Sequence, residues 1–287
     1  MPLVPMKEML QNARKGGYAV GAFEFWSLES AQAVVRAAQA FNVPVVLQSG
    51  YIEAMHAGGY DQIVRLAQIA ADEVQIPVAL HWDHGEEIEH VKNAVDAGFT
   101  SVMIDCSRLS YEENAEMTRK VVELAKPRGI TVESELGVLA GNEGNLNVDE
   151  SEALQTTPGE ARRFLDETGA DAIAVAIGTA HGFYKFEPKL NIKRLREIAA
   201  VVPEPIVLHG GSGTPEEQIR SAVRAGICKV NICTEFIAAF GSSYINSLEK
   251  EDFKYNVPAF FGAAQKAGYE LACSKIKLFL NDKKAIF

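Results

Sequence analysis

The chain has 287 residues, 47% of them apolar and 23% charged, the balance of an ordinary globular protein. Its net charge of -10 excludes an electrostatic footprint for nucleic acid or an anionic membrane, and no local basic cluster offsets it. No stretch approaches the ~20 apolar residues of a membrane span. The opening MPLVPMKEML has no apolar leader core, and Cys106, Cys228, Cys233 and Cys273 make neither a C-x-x-C pair nor a zinc-ribbon spacing. A reducing, cytoplasmic setting is expected.

Short Val- and Ile-rich runs recur along the chain, each followed by an amphipathic stretch. YAVGAF (18–23) precedes the helical pattern LESAQAVVRAAQAF, and VPVVLQ (43–48) precedes YDQIVRLAQIAADEV. IPVALHW (76–82) precedes EEIEHVKNAVDAGF, with Gly98 as a stop signal. SVMIDC (101–106) precedes YEENAEMTRKVVELAKPRG. ITVESEL (130–136) is followed by an expected loop, GVLAGNEGNLNVDESEALQT (137–156), and then by TPGEARRFLDETGA. A loop this long inside a compact domain is usually functional. AIAVAIG (172–178) precedes NIKRLREIAAVV, and PIVLHG (205–210) precedes TPEEQIRSAVRAGI, whose Thr-Pro-Glu opening repeats that of TPGE. CKVNIC (228–233) is the eighth run.

Eight apolar runs alternating with helices predict a parallel (β/α)8 TIM barrel of α/β class. A doubly wound open sheet is the rival, disfavoured because no G-x-G-x-x-G follows the first run. One domain over residues 1–287 is expected, with the barrel from about 5 to 235 and extra C-terminal helices from about 236 to 287. Those helices cap the barrel or build a subunit interface.

Barrel chemistry sits at the C-terminal ends of the strands. The runs end in Glu24, Gln48-Ser49, Asp83-His84, Asp105, Glu133 with Glu135, His181, His209, and Asn231 with Thr234. Three of the six histidines, His84, His181 and His209, fall at these ends. Three imidazoles leave a zinc ion with open positions, the arrangement of a catalytic rather than a structural site. His56, His81 and His90 have weaker claims, and His81 reads as packing or support. Asp83 reads either as a partner for a nearby cation or as a general acid/base beside a metal. HGGSG (209–213) and NICTE (231–235) follow the seventh and eighth runs, where barrels often bind phosphate with backbone N–H groups. Lys185 in HGFYK is a candidate phosphate cation or, equally, a solvated loop lysine.

WDHG, SVMIDCS, VESELG, AVAIGTAHGFYK, VLHGGSG and KVNICTE stand in the order of the class II, metal-dependent ketose-bisphosphate aldolases. The chain resembles the fructose- and tagatose-bisphosphate branch of that family from about residue 5 to about 240. The resemblance implies cleavage of a phosphorylated ketose to dihydroxyacetone phosphate and an aldehyde. It implies zinc, or another divalent metal, on His84, His181 and His209, with Asp105 and Glu135 at a second or alternative metal position. It implies proton transfer by Asp83 and by Glu143 in GNEGN. Gly182, Gly210, Gly211, Ser212, Asn231, Ile232, Cys233 and Thr234 match the dihydroxyacetone phosphate site, near which a monovalent cation is a further candidate. The implied partner is a small phosphorylated sugar, and the implied assembly a homo-dimer or homo-tetramer. A Schiff-base aldolase would need a lysine in the barrel interior. The sixth run has none, and Lys229 lies deep in the eighth.

Four positions depart from the family pattern. The first run reads AFEFW, with Glu24 where members carry Asn. Gly50 follows Ser49 where many members place Ser or Thr. The long loop reads AGNEGN, with less acid. FKYNVPAFFGAA lacks the Arg that reaches a neighbouring subunit's second phosphate, and Lys254 is an imperfect substitute. Together with Trp26, these changes raise an alternative to a fructose- or tagatose-1,6-bisphosphate-like substrate: a ketose 1-phosphate with a non-phosphorylated or modified aldehyde half, or a metal-binding barrel that is an epimerase, an isomerase or a binding protein.

Overall fold

The computed structural model describes residues 3–138, 140–143, 146–148, 155–182, 188–250 and 255–287, with the backbone alone at 140–143, 146–148 and 181. In chain order, α1 (Met6–Gly16) precedes β1 (Val20–Glu24), and α2 (Leu28–Phe41) precedes β2 (Val45–Ser49). Then come α3 (Tyr51–His56), α4 (Tyr60–Asp72), β3 (Val78–Gly85), α5 (Ile88–Ala97), β4 (Ser101–Ile104) and α6 (Tyr111–Ala125). A 3-10 turn (Lys126–Arg128) leads to β5 (Thr131–Leu136). β6 (Ala140–Glu143), β7 (Leu146–Val148), α7 (Pro158–Thr168), β8 (Ala172–Val175) and β9 (Ala180–His181) follow. The chain ends with α8 (Ile192–Val201), β10 (Ile206–Leu208), α9 (Glu216–Arg224), β11 (Ile227–Ile232), α10 (Thr234–Leu248) and α11 (Val257–Leu280).

Eight of these strands close a parallel barrel in the order β1-β11-β10-β8-β5-β4-β3-β2. The expected (β/α)8 barrel with C-terminal helices is therefore the fold. Among the described residues no helix is long and apolar enough to cross a membrane. Side chains alternate between the two faces of each strand. Val45 and Leu47 point to the helical layer, while Val46 joins an inner cluster with Val20, Ala22, Ala79, Ala172, Ala174 and Val207. Met6, Met9, Leu10 and Ala13 of α1 belong to that inner cluster. The floor of the barrel is thus small, apolar and plugged by α1, whereas the next layers toward the strand C-termini are polar.

Two local expectations need correction. The segment after β5 is not a plain loop, because β6 and β7 pair antiparallel and β6 pairs in parallel with β9. The two residues between these short strands, Gly-Asn, are a hairpin signal visible in the sequence. The two Thr-Pro-Glu openings also differ. Thr157 caps α7 in a capping box with Glu160. At α9 the N-cap position is Pro215, which offers no side-chain cap, and the Thr214 hydroxyl donates to the Gly210 carbonyl at 3.1 Å.

Candidate active site

β3 carries Ala79, His81 and Asp83 on its inner face, and alternation would send His84 outward. His84 instead sits at φ 44, in the left-handed region. The β3–β4 register shifts between Trp82 and Gly85. The irregularity lets adjacent residues share one mouth, so Asp83 and His84 both reach it, while Trp82 packs edge-on against Phe99 at 5.5 Å.

His84 Nδ1 lies 2.8 Å from Asp105 Oδ2, and His84 Nε2 lies 2.9 Å from His209 Nδ1. His209 Nε2 lies 2.8 Å from Glu133 Oε1. Each ring therefore has one nitrogen close against a carboxylate, which favours the proton there and turns the other nitrogen's lone pair toward the opposite ring. Those two lone-pair nitrogens face each other. This donor set fits a borderline-soft divalent cation. Asp83, His84 and His209 present ligand atoms within 4.8 Å of one another, and so do His84, Asp105 and Glu135. Glu135 Oε2 is 3.5 Å from His209 Nδ1. Burial holds the His209 imidazole below its ordinary range, which favours the neutral, ligating form.

Asp83 accepts hydrogen bonds from Gln48 Nε2 at 2.8 Å and from Asn231 Nδ2 at 3.2 Å, and His81 Nε2 stands 3.5 Å away. Burial works to raise its carboxyl. His84, the His81 contact, His209 and Lys229 outweigh burial and hold it well below the usual carboxylate range. It is an ionised base. Asp105 is likewise held down, to about 2: burial opposes this, and the His84 bond and Ser107 overcome it. Ser107 donates to Asp105 Oδ1 through both backbone N–H and hydroxyl. Below this layer, Lys229 Nζ donates to Glu133 at 2.9 and 3.1 Å. β11 and β5 are separated by β10 and β8, so this ion pair spans the interior. Glu133 is pulled down to about 2, with Lys229, His81 and His209 overcoming its burial.

The glycines after β10 are sterically required. At Gly210, φ is 64 and an added Cβ would lie 2.4 Å from the Ala180 carbonyl oxygen. At Gly211 it would lie 2.6 Å from Val230 and 2.7 Å from the Asn231 oxygen. The first contact brings the chain beside His181 against the loop that carries His209. Gly213 N–H donates to Glu235 at 2.9 Å, Glu235 N–H donates to Ser212 Oγ at 3.2 Å, and Lys275 pairs with Glu235. The loop is thus tied to the N-terminus of α10, the favourable end for an anion.

Asp83, His84, Asp105, Glu135, His209 and Asn231 come together, with Glu24 at their edge. Ser49 does not: it alternates away from Gln48, pairs in register with Trp82, and its hydroxyl donates to Gly50 O at 3.4 Å. Ile232 faces the helical layer, and Trp26 packs on Phe236 and Phe240. Gly182 has φ 85 and directly follows β9. Lys185 and Lys254 lie outside the described residues, as do the side chains of Glu143 and His181. The parallel pairing of β6 with β9 sets Gly141 opposite His181. Reading run ends alone undervalues Gln48, Glu133 and Lys229. A lone lysine inside the apolar CKVNIC run is the signal for a buried ion pair.

The class-II fructose-bisphosphate aldolase family profile matches residues 4–284. The chain belongs to that family. It is 40% identical over 287 residues to a fructose-bisphosphate aldolase of Staphylococcus epidermidis, covering 99% of this chain and 100% of the relative. It is 37% identical over 285 residues to a sulfofructosephosphate aldolase of Alkalicoccus urumqiensis, covering 99% of each. The crystal structure of the YdjI aldolase from Escherichia coli K12 superposes with a TM-score of 0.86 at 32% identity, over 99% of this chain and 100% of that one. This member of the class II aldolases is accordingly a metal-dependent aldehyde-lyase.

Proposed function

We propose that this aldolase cleaves a ketose 1-phosphate reversibly to dihydroxyacetone phosphate and an aldehyde, with zinc held by His84, His209 and His181. The opposed ring nitrogens of His84 and His209, 2.9 Å apart beside the ionised Asp83, carry the reading. Zinc held there would supply Lewis acidity to the substrate carbonyl. Asp83 takes the proton of the C4 hydroxyl, the C3–C4 bond breaks, and its electron pair passes into the three-carbon fragment. Glu143 returns a proton to C3 of that fragment. Gln48 and Asn231 hold Asp83 in place for the first transfer. Gly182, Lys185, Gly210, Gly211, Ser212 and the Asn231–Thr234 turn cradle the phosphate, aided by the N-terminus of α10. A Schiff-base route is disfavoured because both Lys229 contacts go to Glu133.

The absence of a disulfide among Cys106, Cys228, Cys233 and Cys273 fits a reducing cytoplasm. The exposed Ile237, Ile245, Leu248 and Val257 on α10 and α11 fit a homo-dimer or homo-tetramer interface. The test is coupled detection of dihydroxyacetone phosphate from a panel of ketose phosphates, with chelator and then with restored zinc. Release that depends on zinc supports the proposal. Release that chelator leaves unchanged, or no release from any ketose phosphate, overturns it.

A further inference from the structure

We propose that Glu24 is a specificity-determining residue that binds a hydroxyl of an uncharged aldehyde half, so that the preferred ketose 1-phosphate carries no phosphate or sulfonate at its far end. The inference rests on the aldolase reading above and narrows its substrate class.

Glu24 ends β1 and is 4% exposed. Its Oε1 accepts from Gly50 N–H at 3.1 Å, and its Oε2 accepts from Gln48 Nε2 at 3.2 Å. The same Gln48 Nε2 reaches Asp83, so Glu24 stands one side chain away from the base that starts cleavage. This corner is built from the ends of β1 and β2, with β11 and its Asn231 pairing along the other edge of β1, and Asp83 on β3 is the reacting group nearest to it. The charges that bear on Glu24 are the carboxylates of Glu53 and Asp83. Burial and those two carboxylates push its own carboxyl well above the usual range, so Glu24 keeps its proton and can donate it to an oxygen.

Two further polar atoms here are acceptors. Gln48 Oε1 and Asn231 Oδ1 are buried and accept no hydrogen bond from the described residues. Buried polar atoms require partners. Hydroxyls can both donate to these oxygens and accept from Glu24. A terminal phosphate or sulfonate is an acceptor only and would approach two carboxylates. At a separation of about 6 Å and an effective dielectric of about 20, one such repulsion weakens binding on the order of 100-fold.

The test runs in the synthetic direction with zinc-loaded enzyme, dihydroxyacetone phosphate and a matched pair, D-glyceraldehyde and D-glyceraldehyde 3-phosphate. Wild type should use glyceraldehyde with the higher kcat/KM, by about 10-fold or more. Glu24→Ala should raise KM for glyceraldehyde about 10-fold and leave KM for dihydroxyacetone phosphate unchanged. Glu24→Gln, which keeps a donor and an acceptor, should restore most of the loss. A wild-type preference for the phosphorylated aldehyde overturns the inference, as does an unaltered glyceraldehyde KM in a folded Glu24→Ala enzyme. If that variant does not fold, the wild-type ratio and Glu24→Gln decide. Exchange of the C3 hydrogen of dihydroxyacetone phosphate with deuterated solvent needs no aldehyde. Without exchange the aldolase reading fails and this inference with it. Exchange without the expected preference overturns this inference alone.

Discussion

The Glu133 carboxylate joins Lys229 to His209: it lies 2.9 Å from the lysine Nζ and 2.8 Å from the imidazole Nε2. All three side chains are at most 1% exposed. One ion pair in the barrel interior therefore both neutralises a buried lysine and favours the proton on one nitrogen of the ring proposed as a metal ligand. Fold stability and the proposed metal site therefore meet at a single carboxylate.

Glu133→Gln strands the Lys229 charge in the interior, and breaking a buried pair in this way costs about 3–5 kcal/mol. It also loosens the orientation of His209, which should lower zinc affinity about 10–100-fold. Lys229→Met should destabilise the fold while keeping the Glu133–His209 contact, so its zinc affinity should fall less. Denaturant unfolding of the metal-free proteins and zinc competition against a chromophoric chelator separate the two effects. Equal loss of zinc affinity in both variants would show that Glu133 does not act through His209.

Asp83→Asn should lower turnover by about 10²–10⁴-fold, the usual contribution of a positioned acid/base. Zinc content should stay at the wild-type level, because the histidines are untouched. Solvent exchange at C3 of dihydroxyacetone phosphate should persist, since Glu143 rather than Asp83 is assigned that proton. Metal analysis together with exchange followed by proton NMR checks both points. Loss of exchange along with cleavage would reassign Asp83 to the C3 proton.

The barrel was legible because each strand is a short Val- and Ile-rich run and α2 starts and stops where its periodicity does. The candidate site was legible as polar residues at run ends, the positions at which Asp83, His84, Asp105, Glu135 and His209 stand in the sequence. Interior pairings were not. Glu133 and Lys229 are 96 positions apart in the chain and meet only because the sheet closes. Ser49 shows a related limit: being next to Gln48 in sequence puts it on the opposite face of the strand. His84 shows the converse, since its left-handed backbone overrides alternation, and no residue pattern announces that.

Gly211→Ala tests the phosphate loop. The new methyl would press on Val230 and on the Asn231 carbonyl oxygen, at 2.6 and 2.7 Å. Backbone on one side and a buried strand residue on the other leave little room to yield, so a cost of about 1–3 kcal/mol is expected. The displaced strand also carries the Asn231 amide that holds Asp83. KM for dihydroxyacetone phosphate should rise about 10-fold, and inhibition by inorganic phosphate should weaken in parallel. An unchanged phosphate inhibition constant would place the phosphate elsewhere.

Asp105 makes a pH prediction for the metal-free enzyme. Its carboxyl sits at about 2 in the folded protein against an ordinary 3.8, held down by the His84 bond and Ser107 despite its burial. A depressed carboxylate stabilises the fold above its ordinary value, and that contribution is lost as pH falls through the folded value. The window is therefore pH 4 down to pH 2, and a gap of nearly two units corresponds to roughly 2 kcal/mol. Asp105→Asn has no carboxylate to protonate, so its stability should decline less steeply across this window. It should also be less stable than wild type at pH 6, where the wild-type carboxylate is fully engaged. Urea unfolding at half-unit pH steps, with chelator present throughout, measures both slopes. Parallel slopes for wild type and variant would mean that the Asp105–His84 contact does not stabilise the metal-free fold.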